Sequence, residues 1–270
     1  MDPRIQEISV QDLLQHAGGW ESFAPLELPW SRMASLTLGT EGPPDCATVF
    51  RYMLSIPLDF DPGSRSFYSN FGYCLLGLVI ESSLRSAGTP MTYEEFVKKE
   101  VLAPAGVSRM RLGGTKRSDR LPDEVLYYAA PNQPLVPSVF PGEGYVPYAY
   151  GGFYNEASAA SGGWVGSARD LVRFALSLDG ARGPALLRPE TYRLMIETPV
   201  PGADGKQTGL CWTVAPRERG FDMWHAGGLK DSHAAWLVRT AGGVTLAFTF
   251  NSLPPNHKGF LSTLCLPFSM

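Results

Sequence analysis

Residues 62–81 read Pro62-Gly63-Ser64-Arg65-Ser66-Phe67-Tyr68-Ser69-Asn70-Phe71-Gly72-Tyr73-Cys74-Leu75-Leu76-Gly77-Leu78-Val79-Ile80-Glu81. Asp61-Pro62-Gly63 is a turn signal, so the chain from Pro57 to Phe67 is expected as a loop. Beyond it, apolar residues recur at 71, 74, 75, 78 and 79. That spacing puts them on one face of a helix and predicts a helix over 70–86. Tyr68 and Asn70 therefore stand at a loop tip just before a helix. Asn70 is a good helix cap, and read alone the pair are ordinary turn residues capping the 71–86 helix.

Around this stretch lies a chain of 270 residues with a net charge of -3 and a pI of about 5.8. Hydrophobic residues make up 44% and charged residues 18%, which excludes a disordered chain or a coiled coil. The acidic balance argues against nucleic acid as the main partner. No apolar run reaches the ~18 residues of a membrane helix, and Met1-Asp2-Pro3-Arg4 does not begin a charged-then-apolar leader. Cys46, Cys74, Cys211 and Cys265 form no CxxC pair. They are expected as four buried free thiols, with no metal and no cofactor.

Upstream, Ser9 to His16 read as a helix capped by Ser9 and ended by Gly18-Gly19. Residues 21–45 are Pro-rich and are expected to be irregular. Cys46 to Leu54 suits a short helix. Downstream, Tyr93 to Leu102 follows a capping box, Thr92 with Glu95. Residues 103–160 carry Pro, Gly and Tyr with little periodicity, the texture of a binding surface. The aromatics Tyr145, Tyr148, Tyr150, Phe153 and Tyr154 suit either a lid over an apolar group or core packing. Ser167 to Ser177 and Pro189 to Glu197 are expected helices. From 209 the texture becomes β-prone: Gly209–Ala215, Phe221–His225, Ala234–Arg239 and Val244–Asn251 read as an antiparallel meander. Pro254 to Leu264 suits a closing helix. The expected organisation is a mainly helical region over 1–200 and a sheet with a C-terminal helix over 201–270, working as one unit.

Three other segments complete the pattern. Residues 224–228 read Trp-His-Ala-Gly-Gly, residues 161–174 begin Ser-Gly-Gly-Trp, and residues 13–19 read Leu-Leu-Gln-His-Ala-Gly-Gly. Together with Tyr68-Ser69-Asn70, in this order and spacing, they resemble the serine β-lactamase and penicillin-binding-protein-like hydrolases. That group takes in class C β-lactamases, DD-peptidases and family VIII esterases. The resemblance covers about residues 7–252. It implies an α+β fold of the β-lactamase/transpeptidase type, a helical region on an antiparallel sheet flanked by helices. It also implies acyl transfer from an ester or amide through a serine to water.

The resemblance assigns roles to particular residues. Tyr68 is the implied proton-transfer residue. Its phenol can act as a base only where nearby cations favour the phenolate. Asn70 is implied to hydrogen-bond the substrate amide or the family's lysine. His225 stands where the family has Lys or His on a strand edge, which tilts the expectation from β-lactamase toward esterase. Gly227 is implied to let substrate approach the strand, and the Gly228 N–H to be half of an oxyanion hole. Gly163 and Trp164 are implied to border the pocket. His16 reads as a structural histidine at a helix end, and His233 and His257 as surface or structural histidines.

One element is missing. The family's nucleophile lies in a Ser-x-x-Lys motif upstream of the segment that 8–19 resembles. The six lysines here are 98, 99, 116, 206, 230 and 258. Glu95, Phe96, Gly113, Ala203, Gly227 and Pro255 stand three residues before them. No Ser-x-x-Lys exists in these 270 residues. The expectation is a truncated form short of the family's N-terminal strands, a silent homologue that binds an acyl or peptidyl ligand or a partner chain, or a local substitute at Ser64, Ser66 or Ser69. Because a family-type fold without those strands bares Val244–Asn251, a homodimer through that edge is also expected.

Overall fold

The structure is a computed structural model that describes residues 1–21, 30–197, 199–201, 207–229 and 232–253. Among the described residues seven α-helices run in chain order: α1 (Val10–Leu14), α2 (Trp30–Leu38), α3 (Cys46–Met53), α4 (Asn70–Ser86), α5 (Tyr93–Phe96), α6 (Ala168–Ser177) and α7 (Pro189–Glu197). Two-residue ladders join β1 (Arg111–Leu112) to β4 (Trp164–Val165) and β2 (Val136–Pro137) to β3 (Tyr145–Val146). The main sheet contains β5 (Val200–Pro201), β6 (Gln207–Thr208), β7 (Thr213–Pro216), β8 (Phe221–Leu229), β9 (His233–Arg239) and β10 (Thr245–Phe250). Its order is β10-β9-β8-β7-β6-β5, each neighbour antiparallel. This is an α+β fold, helices beside an antiparallel sheet, as the resemblance implies.

Local chemistry accounts for the helix starts. Ser9 and Ser167 each close a capping box with the Asp three residues on, and Thr92 does so with Glu95. After α5 the backbone continues as a π-helical turn over Val97–Leu102. α4 is the central helix. Phe71, Cys74, Leu75 and Leu76 are buried against Leu13, Trp20, Val49, Met53 and Leu58. A second core packs Ala175, Leu178 and Ile196 of the α6–α7 region on Trp212, Val214, Met223 and Leu237 of the sheet.

Three expectations need correction. Residues 21–45 are not wholly irregular, because α2 forms within them. Cys46 and Cys74 are not free thiols: they join α3 to α4 as a disulfide, with Cα atoms 5.9 Å apart. Cys211 is free, and Cys265 lies outside the described residues. Strand β8 runs four residues beyond His225, where the sequence suggested that it stops. The closing helix expected over Pro254–Leu264 also lies outside the described residues.

β10 is the last strand of the sheet order, and among the described residues no strand pairs with its outer edge. Helix α6 packs on its face. Its C-terminal end is clipped: Asn251 O accepts the Tyr128 N–H at 2.9 Å, and Asn251 Nδ2 donates to Leu126 O at 2.8 Å. Among the described residues no helix is long and apolar enough to cross a membrane.

Candidate active site

The loop before α4 is held in place from behind. Gly63 N–H donates to Ala17 O, Phe67 N–H to His16 O, and Asp59 N–H to Gly19 O. Ser66 Oγ donates to Gln15 O at 2.7 Å. The 15–19 segment thus fixes the loop that carries Tyr68. Ser69 is the cap of α4, its side chain accepting the Gly72 N–H. Because Ser69 takes the cap, the carboxamide of Asn70 is available for another partner. Its Oδ1 accepts the Tyr68 hydroxyl at 2.9 Å.

Tyr68, Asn70 and His225 line one cavity of about 520 Å³, although 157 residues separate Tyr68 from His225. The face of α4 that carries Tyr73, Leu76, Gly77 and Ile80 forms one wall, with Val10, Leu14 and Tyr93 beside it. No Asp, Glu, Lys or Arg is among the described lining residues. The sheet contributes His225 and the loop residue Cys211, whose N–H donates to Leu14 O at 3.0 Å. That bond ties the sheet side to α1.

Burial sets the protonation states. It raises the Tyr68 phenol to about 12, so the phenol is protonated at neutral pH and acts as a donor. Burial lowers His225. It also lowers His16 to about 4, with His225 adding to the effect. Both imidazoles are neutral at pH 7. The cations that a phenolate at Tyr68 requires are absent from the described lining. Cys211 is raised by burial, although Tyr73 acts on it in the opposite direction.

His16 is the residue that the sequence undervalued. It is 7% exposed and lines the cavity. Its ring packs between Tyr68, at 4.5 Å, and Tyr73, at 4.9 Å, and its Nδ1 accepts the Ser69 N–H at 3.0 Å. His16 and Cys211 also share an uncommon backbone, with φ of 56° and 76°. Non-glycine residues rarely adopt such angles, and they collect at functional sites.

The remaining candidates are placed differently. Ser161 and Gly162 line the cavity, whereas Gly163 and Trp164 do not. Trp164 stands behind the wall, edge-on to Tyr93 at 6.3 Å. Gly227 and Gly228 are exposed on β8 opposite Ala235 and Ala234 of β9. A Cβ on Gly227 would meet nothing within 4 Å. β7 ends opposite Trp224, so among the described residues no strand pairs with the other edge of β8 over residues 225–229. The three nearby serines have structural partners. Ser64 donates to Asp61 O, Ser66 to Gln15 O, and Ser69 caps α4. None of them lines the cavity. Among the described residues no three His, Cys, Asp or Glu side chains are grouped to hold a metal.

The family model described as Beta-lactamase matches residues 2–262. The chain belongs to the beta-lactamase family. Among curated relatives, a Dichelobacter nodosus protein whose name includes "fimbrial assembly protein FimD, serogroup D" is 29% identical over 189 residues. That alignment covers 66% of this chain and 38% of the relative. An Escherichia coli K12 protein whose name includes "D-alanyl-D-alanine carboxypeptidase" is 29% identical over 101 residues, which is 37% of this chain and 21% of that protein. The chain therefore spans well under half the length of these family relatives. Among solved structures, D-amino acid amidase from Ochrobactrum anthropi SV3, complexed with D-phenylalanine, superposes with a TM-score of 0.64 at 19% identity. The match covers 94% of this chain and 74% of the amidase. The penicillin binding protein from Bacillus halodurans gives 0.63 at 18% identity, over 98% and 74% of the two chains. At such identities these structures speak for the fold of the family alone.

Proposed function

We propose that this chain forms the acyl-binding and proton-relaying face of an ester- or amide-hydrolysing site. The helical part, 1–200, and the sheet part, 201–270, act as one unit with the site between them. The observation that carries the reading is the convergence of Tyr68, Asn70 and His225 on one mainly apolar cavity whose described lining carries no charged side chain. The cavity receives the acyl group. Tyr68 and His225 handle the proton, and Asn70 orients the Tyr68 hydroxyl. Gly227 and Gly228 offer the open edge of β8 to the reacting carbonyl, with Gly163 and Trp164 backing the wall.

An ester is the favoured substrate over a β-lactam. A neutral His225 gives no cation for a carboxylate, and burying an unpaired carboxylate among apolar side chains is costly. Solved relatives were captured with D-phenylalanine and with L-phenylalanine amide, which keeps amides within the substrate class.

The test is hydrolysis of p-nitrophenyl butyrate by the 270-residue chain. Without a Ser-x-x-Lys nucleophile the rate should fall at least ~10³-fold below that of a complete family hydrolase, because catalytic groups act as a set. Fluorophosphonate labelling should leave Ser64, Ser66 and Ser69 unmodified. Robust turnover with one mapped acyl-serine would refute this.

The protonated Tyr68 favours a second reading, a silent homologue that binds an acyl or peptidyl ligand without turning it over. Coding DNA upstream of Met1 separates the two. An in-frame Ser-x-x-Lys favours the hydrolase, and a stop codon favours the silent binder. The favoured protein partner is a second copy of the chain, paired through 244–251. Support comes from the sequence of 244–251, which is β-prone and bears no charge and no Pro. Thr249 is exposed there, and Thr249→Lys should weaken association in light scattering. A wild-type chain that stays monomeric at high concentration contradicts the dimer.

A further inference from the structure

His16 combines four features that no structural role at a helix end requires. It is nearly buried, yet it lines the cavity. Its ring is held between Tyr68 and Tyr73. Its Nδ1 accepts a backbone N–H, from Ser69. Its backbone lies in the left-handed region, φ 56°. The Nδ1 contact decides the tautomer. A nitrogen that accepts an N–H carries no proton of its own, so the proton of the neutral ring is on Nε2. Among the described residues nothing hydrogen-bonds to Nε2.

We propose that His16 is a ligand-binding residue of this cavity, a neutral imidazole that offers its Nε2–H to an oxygen of the bound acyl group. The inference rests on the acyl-ligand reading above and adds an imidazole N–H to the donors of the cavity, beside the carboxamide N–H groups of Asn70. Tyr68 spends its hydroxyl proton on Asn70 Oδ1. His225 and Cys211 share the cavity, and among the described lining residues there is no carboxylate to draw a proton onto the ring. Burial holds the imidazole neutral down to about pH 4. It therefore acts as a donor and not as a cation, and it suits a carbonyl oxygen better than a carboxylate. Tilted ring contacts with Tyr68 and Tyr73, and the Ser69 N–H bond to Nδ1, fix where the Nε2–H points, which lowers the entropy lost on binding.

Phenylacetamide is the probe, titrated into protein labelled with ¹⁵N at histidine. The wild type should show His16 as the Nε2–H tautomer, and saturation should shift Nε2 while Nδ1 holds still. His16→Asn separates the two nitrogens. Its Oδ1 can replace Nδ1 as acceptor for Ser69, and Asn tolerates the left-handed backbone. The variant should fold and bind phenylacetamide ~3- to 10-fold more weakly, the usual effect of one lost neutral hydrogen bond. An Nδ1–H tautomer overturns the inference whether or not the probe binds. Saturable binding with Nε2 unmoved, or unweakened in His16→Asn, overturns it and leaves the acyl-ligand reading standing. Absence of any phenylacetamide binding contradicts that reading, and the inference falls with it.

Discussion

Tyr68 donates to Asn70, and that one bond sets what each residue can do. A phenol raised to about 12 holds its proton, so Tyr68 stands as a hydrogen-bond donor and not as a base. Cys211 is governed by the same physics. Burial raises its thiol, and thiolate is the reactive form. Iodoacetamide at pH 8 should therefore label Cys211 at least ~10-fold more slowly in the native protein than in urea, as read by mass spectrometry. Equal rates would mean that the thiol is ionised or freely exposed. The role of His16 was not legible in the sequence. Ser69, Tyr68 and Tyr73 surround it only after the loop folds back on 15–19. Asn70 was legible as a site candidate because its position beside Tyr68 is local. The cap it was weighed for is Ser69 instead.

At the scale of elements, α4 carries both the core and the site. Ser69→Ala removes the cap of α4 and should cost about 1 kcal/mol in urea unfolding, with the slope of the transition unchanged. No loss of stability would mean that the first turn of α4 finds another acceptor. Helices such as α4, α6 and α7 were readable because cap chemistry and the 3.6 period are written within a few residues. α2 was not, because the prolines and glycines around it hide a nine-residue helix. The disulfide was hidden for a different reason. A separation of 28 residues matches no motif, and only the packing of α3 on α4 brings Cys46 to Cys74. The four-segment pattern showed the fold, but not that Ser161 and Gly162 reach the cavity while Gly163 and Trp164 fall behind its wall.

For the whole molecule, buried histidines couple stability to pH. His16 and His233 are both lowered by burial from 6.5 to about 4. Unfolding releases them to their ordinary value, so between pH 6.5 and 4 the unfolded chain binds protons that the native chain does not. Stability is then fully present above about 6.5 and falls as the pH drops toward 4. His16 alone accounts for ~3 kcal/mol of that fall. His16→Asn should flatten the slope of unfolding free energy against pH in this window. An unchanged slope would show that His16 titrates normally in the folded chain.

The central claim is an uncharged acyl cavity closed by Tyr68, Asn70 and His225. Calorimetric titration at pH 7 with three molecules of one shape, phenylacetamide, phenylacetate and phenethylammonium, tests it most directly. The account predicts saturable binding of the amide, with both ions at least ~10-fold weaker because no described lining side chain pairs with their charge. Phenylacetate binding as tightly as the amide, or no binding of the amide, would contradict it.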